Sequence, residues 1–81
     1  MNYPIYRKLI NNKVFYKIID EKNFEELQCI GSKVKHSQTT AIQYPELLLI
    51  QDLIATNEFY ITSSQEEWEM WCIKIQLNEL L

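Results

Sequence analysis

The sequence predicts an α+β fold: a small antiparallel sheet, built from an N-terminal hairpin plus further strands, packed against two or three helices that cover one side of it. Three observations carry this reading. Two runs rich in β-branched and aromatic residues, 5–10 and 14–19, flank Asn11-Asn12. An alternating, threonine-containing stretch extends from Lys33 to Tyr44. Ser64 stands three residues before Glu67, ahead of a segment with apolar residues at helical spacing. The chain has 81 residues with one Gly and two Pro, too little punctuation for a linker, so one domain over 1–81 is expected.

The hairpin comes first. Asn tolerates the left-handed backbone of a tight two-residue turn, which places Asn11-Asn12 between two strands. Asp20 next resembles a helix N-cap, with Glu21 in the first turn. Phe24, Leu27 and Ile30 follow at i, i+3 and i+6, and Gly31 suits a left-handed C-cap. A short helix is therefore expected between Asp20 and Gly31. The Lys33–Tyr44 stretch then reads as a half-exposed strand, with Val34, His36, Gln38, Thr40, Ile42 and Tyr44 on one face.

Pro45 and Glu46 suit the first turn of a helix ending near Ala55, with Leu47, Ile50, Leu53 and Ile54 inward. A buried strand over 47–50 is the competing reading. Residues 58–62 form a short strand. An offset of 44 residues sets Phe15-Tyr16 against Phe59-Tyr60, Asp20 against Ser64 and Phe24 against Trp68. This faint echo supports a strand–cap–helix order in both places.

Ser64 and Glu67 fit a capping box, which starts a helix at Gln65. If that helix runs to Leu80, it carries two apolar stripes. Trp68, Trp71, Cys72 and Ile75 form one; Met70, Ile73, Leu77 and Leu80 lie nearly opposite. A helix at the surface of a small domain needs only one apolar face for its own core. The second stripe asks for another cover, such as a second copy of the chain. The alternation Ile73-Lys74-Ile75-Gln76-Leu77-Asn78 supplies a rival reading, a strand returning to the sheet.

The eight basic and eleven acidic residues leave a net charge of −3, which argues against strong nucleic-acid binding. The charge is unevenly spread: residues 1–43 hold seven basic and four acidic groups, residues 44–81 one and seven. The sequence begins Met-Asn-Tyr-Pro, without the basic and apolar regions of a signal peptide. The longest apolar run, residues 47–50, is far short of the roughly 20 residues that span a bilayer. No membrane association and a cytoplasmic location with reduced thiols are expected. Eleven Ile, and seven Lys against one Arg, fit an AT-rich bacterial or phage genome.

No catalytic motif stands out. His36 is the sole histidine, and Ser32, Ser37, Cys29 and Cys72 lack any local nucleophile signature. Cys29, Cys72 and His36 lack the paired close spacing of a structural zinc site. The carboxylate pairs Glu25-Glu26 and Glu66-Glu67 diverge by about 100° on a helix, so neither converges on one substrate. The single glycine excludes phosphate-cradling loops of both common kinds. No cofactor, metal ligand or catalytic residue is assigned.

The expected function is a non-enzymatic protein-binding or self-associating module. Its interface candidates are Met70, Ile73, Leu77 and Leu80, and its partner is another protein or a second copy. An acidic inhibitor or immunity-type protein is the alternative, engaging a basic partner through Glu58, Glu66, Glu67 and Glu69. RNA binding through the basic hairpin, with Arg7, Lys8 and Lys17 beside Tyr6, Phe15 and Tyr16, comes third. An enzyme would require His36 to sit in a pocket with a carboxylate neighbour.

Overall fold

A computed structural model describes residues 2–56 and 58–80, with side chains described as far as Ile75. Five strands and two helices follow in the order β1 (Ile5–Leu9), β2 (Val14–Ile18), β3 (Asn23–Ile30), β4 (Lys33–Thr40), α1 (Tyr44–Ala55), β5 (Tyr60–Thr62) and α2 (Gln65–Leu80). The strands form one antiparallel sheet in the order β4-β3-β2-β1-β5. The α+β class is as the sequence predicts, with two helices.

Side chains alternate across a strand, so each strand serves both faces of the sheet. Ile5 on β1, Tyr16 and Ile18 on β2, and Phe24 on β3 pack with Ile50 and Leu53 of α1. Phe15 and Leu27, their neighbours of opposite parity, pack with Trp68 of α2 and, further out, with Trp71, Cys72 and Ile75. The helices therefore lie on opposite faces. The sequence suggests that they cover one side, and the parity of Phe15 and Tyr16 corrects this: both are buried, each under a different helix.

The main departure from the sequence reading is β3. Residues 23–30 are a strand, not a helix, paired with β2 through Ile18↔Phe24 and with β4 through Ile30↔Lys33. The cap chemistry expected of Asp20 is present. Its carboxylate accepts from the backbone N–H groups of Lys22 and Asn23, both at 2.8 Å, and from the Asn23 amide. Those bonds close the β2–β3 turn instead of opening a helix. Asx turns and N-caps use the same local donors, so the residue alone does not choose between them.

Gly31 is likewise a turn residue. It has φ of 60° and sits with Ser32 between the paired Ile30 and Lys33. A positive φ at the first central position alone is the pattern of a type II′ hairpin turn. Phe24 and Leu27, three apart, point to opposite faces of a strand. Both are buried because both faces are covered. With the first copy reading strand–turn–strand, the echo between residues 15–27 and 59–71 does not describe a repeated unit.

The remaining elements follow the sequence closely. The β1–β2 connection is longer than two residues, spanning 10–13, with Asn12 at φ 60° and its N–H on the Leu9 carbonyl at 2.9 Å. Strand β4 stops at Thr40, short of Tyr44. Helix α1 carries Pro45 in its first turn and buries Ile50 and Leu53, which excludes the strand reading of 47–50. Helix α2 spans the expected residues, so the returning strand over 73–78 does not form.

The capping box at its start is half made. The Glu67 N–H donates to Ser64 Oγ at 3.2 Å. The Glu67 carboxylate, however, turns to Ser63 Oγ and Lys8 Nζ, both at 3.0 Å.

Candidate functional site

Helix α2 shows how the two apolar stripes are used. Trp68 is 5% exposed and lies 6.3 Å from Tyr6, while Trp71 lies 5.2 Å from Phe15. This stripe is consumed by the sheet. Met70 and Ile73, on the far side of the same helix, are 49% and 56% exposed. The side chains of Leu77 and Leu80, the other two interface candidates, lie outside the described residues.

The acidic candidates separate. Glu58 and Glu66 are exposed. Glu67 is bound by Lys8 and Ser63, and the Lys8 ammonium foremost holds its carboxyl below the usual carboxylate range. Glu69 accepts from the Gln65 amide at 2.9 Å. Glu67 is therefore held by a cation, whereas Glu69 stays exposed beside Gln65.

Two cations of the basic hairpin, Arg7 and Lys8, are committed internally. The Arg7 guanidinium donates through Nε to the Leu53 carbonyl at 2.8 Å and through Nη2 to the Ile54 carbonyl at 3.3 Å. These are among the last four carbonyls of α1, which have no partner within the helix. Lys8 points to the other face and binds Glu67. Phe15 and Tyr16 are buried, and burial, with Glu26 nearby, pushes the Tyr16 hydroxyl pKa up. Two of the three aromatics of the base-stacking platform suggested by the sequence, Phe15 and Tyr16, are thus built into the core, while Tyr6 is half-buried.

His36 does gain a carboxylate neighbour: the β3–β4 register brings its Nε2 within 2.7 Å of Glu25 Oε1. The imidazole is 41% exposed and does not line the clefts at the β3–β4 turn or beside Tyr3. The nearby thiol of Cys72 is pushed up, first by burial and then by the Glu25 charge. A nucleophilic cysteine needs the opposite shift. Among the described residues, no group of three His, Cys, Asp or Glu side chains could hold a metal ion.

Sequence reasoning missed one feature. A cleft of about 290 Å³ opens where the β3–β4 turn meets the middle of α2. Cys29 and Val34, paired across the strands, and Trp71 form its apolar part; Ser32, Lys33 and Lys74 line it as well. The Lys74 ammonium stands 4.2 Å from the centroid of the Trp71 ring. Three separate segments supply these residues, so no local spacing could reveal them. A second cleft, of about 280 Å³, includes Tyr3, Lys22, Leu47 and Ile54 and carries no nucleophile or ligand set.

Comparison with protein-family models, with curated proteins and with solved structures found no match to this chain. Among the described residues, no helix is long and apolar enough to cross a membrane.

Proposed function

We propose that the chain is a non-enzymatic association module that pairs with a second copy through the outer stripe of α2. The observation that carries this reading is the exposure of Met70 and Ile73 on a helix whose opposite stripe already packs on the sheet. Side chains as exposed as Met70 and Ile73 add little to the core of the single chain, and an exposed apolar surface is a common mark of association.

Met70, Ile73, Leu77 and Leu80 are spaced three, four and three residues apart. That is the spacing of a two-stranded helical seam, a surface complementary to itself. Its two heptads are short for an isolated coiled coil. Here the domain already holds the helix, so pairing does not carry the cost of helix nucleation. The alternative of an acidic inhibitor would rest on the exposed Glu58, Glu66 and Glu69, because Glu67 is paired with Lys8.

Light scattering coupled to size exclusion, run over a range of concentrations, tests the proposal. The expected result is a dimer mass that falls to a monomer in Ile73→Asp, with the circular dichroism unchanged. A wild-type monomer at every concentration would overturn it, as would a dimer indifferent to Ile73→Asp.

A further inference from the structure

The cleft between the β3–β4 turn and α2 has a composition of its own. Its floor is apolar: Cys29 and Val34 face α2 from adjacent strands, and the Trp71 indole closes one side. Burial pushes the Cys29 thiol up, with Lys74 only partly opposing, so the floor stays uncharged at neutral pH. The charged lining residues are Lys33 and Lys74, both exposed, and among the described residues no carboxylate lines the cleft. In a chain with net charge −3, two cations beside an apolar hollow are a local reversal of sign. The volume lies at the low end for small-molecule sites, which run from roughly 300 Å³ upward.

We propose that this cleft binds a small amphiphilic anion: an apolar body seated on Cys29, Val34 and Trp71, with a single carboxylate head between Lys33 and Lys74. The body gains from leaving water against an apolar floor. The head gains from two ammonium groups, with no competing acid among the described lining residues. The Ser32 hydroxyl, on the turn beside Lys33, is a further donor within the lining. Nothing in this site depends on pairing through Met70 and Ile73, which lie on the opposite stripe of α2.

The chain carries its own reporter. Gly31 lines the cleft and is the only glycine in the sequence, so its amide signal is readily identified. Proton–nitrogen correlation spectra would be recorded during titration with sodium octanoate, then with octanamide as the uncharged counterpart and acetate as the head alone. The expected result is a saturable shift of the Gly31 amide and the Trp71 indole N–H with octanoate. Octanamide should bind about tenfold more weakly, and Lys33→Gln/Lys74→Gln should lose octanoate affinity by a similar factor, since each exposed charge contact contributes modestly.

Both lysines are exposed, so the double variant should fold as the wild type does. Ile73→Asp should retain the octanoate response, which separates this site from the association surface. Three results would each overturn the proposal: equal affinity for octanamide and octanoate, no loss in the lysine variant, or shifts at Met70 and Ile73 as large as those at Gly31. The last would mean adsorption on the exposed stripe instead of binding in the cleft. Saturation by acetate as tight as by octanoate would also overturn it, by removing the apolar subsite.

Discussion

Arg7 and Lys8 are adjacent on β1, yet each ties down a different helix. The Arg7 guanidinium reaches the Leu53 carbonyl of α1 at 2.8 Å, and the Lys8 ammonium reaches Glu67 of α2 at 3.0 Å. Strand alternation sends the two side chains to opposite faces. One short strand thereby anchors both layers, and the two most prominent cations of the hairpin become structural.

Replacing Arg7 should therefore cost stability. Arg7→Leu leaves two α1 carbonyls without their donors, and bonds from charged groups are each worth about 1.5–3 kcal/mol. A loss of about 2 kcal/mol is expected, or about 10 °C in Tm for a domain of this size. Arg7→Lys should recover only part of it, since an ammonium lacks the planar fork that spans both carbonyls. Calorimetry of the three proteins checks the order.

The pair between Lys8 and Glu67 makes a pH-dependent contribution. The Glu67 pKa is lowered in the folded chain, so its stabilisation is complete above the unfolded carboxylate range and disappears as pH falls through the folded value. The carboxylate is about one-third exposed, which limits the effect to about 0.5–1 kcal/mol. Lys8→Gln should be less stable than wild type at neutral pH, and the difference should shrink as pH falls below the ordinary carboxylate range, from neutral pH toward about pH 3. Urea unfolding at the two pH values measures this difference.

Strand β3 offers a contrast between neighbours of the same size. Leu27 is 0% exposed and Ile30 is 56% exposed. Leu27→Ala should destabilise by about 3 kcal/mol, the usual cost of emptying a closed core site. Ile30→Thr should stay within about 0.5 kcal/mol of wild type. A helix over the same residues would bury both on one stripe, so comparable losses would contradict the strand.

Gly31 holds a φ of 60°, and nothing lies within 4 Å of the position a Cβ would occupy. The cost of Gly31→Ala is then purely one of backbone strain, about 1 kcal/mol. Ser32→Ala beside it should be close to neutral. Chemical denaturation of both variants separates strain from steric conflict.

Much of the architecture was legible because some signals are local. Ser64 with Glu67 placed the start of α2, Pro45 with Glu46 placed that of α1, and the two runs around Asn11-Asn12 placed the hairpin. The stretch from Asp20 to Gly31 looks helical in sequence and folds as turn and strand for an equally local reason. A carboxylate that binds the next backbone N–H groups, and a glycine with positive φ, serve helices and hairpins alike. Apolar residues three apart look helical until both faces of a strand are covered. The candidate site divides the same way: the exposed stripe at Met70 and Ile73 follows from helical spacing, while the cleft of Cys29, Val34 and Trp71 does not.

The sequence by itself determined the α+β class, both helix starts, the two stripes of α2 and the lack of any local catalytic motif. These rest on interactions between residues a few positions apart, whose geometry the backbone sets. Tertiary structure alone decided that residues 23–30 pair as a strand and that the helices take opposite faces. It also set Glu25 beside His36 and opened a cleft with two cations beside Trp71. Each of those depends on strand register and helix docking, which are settled by burying two faces of one sheet at once, a condition that no short segment contains.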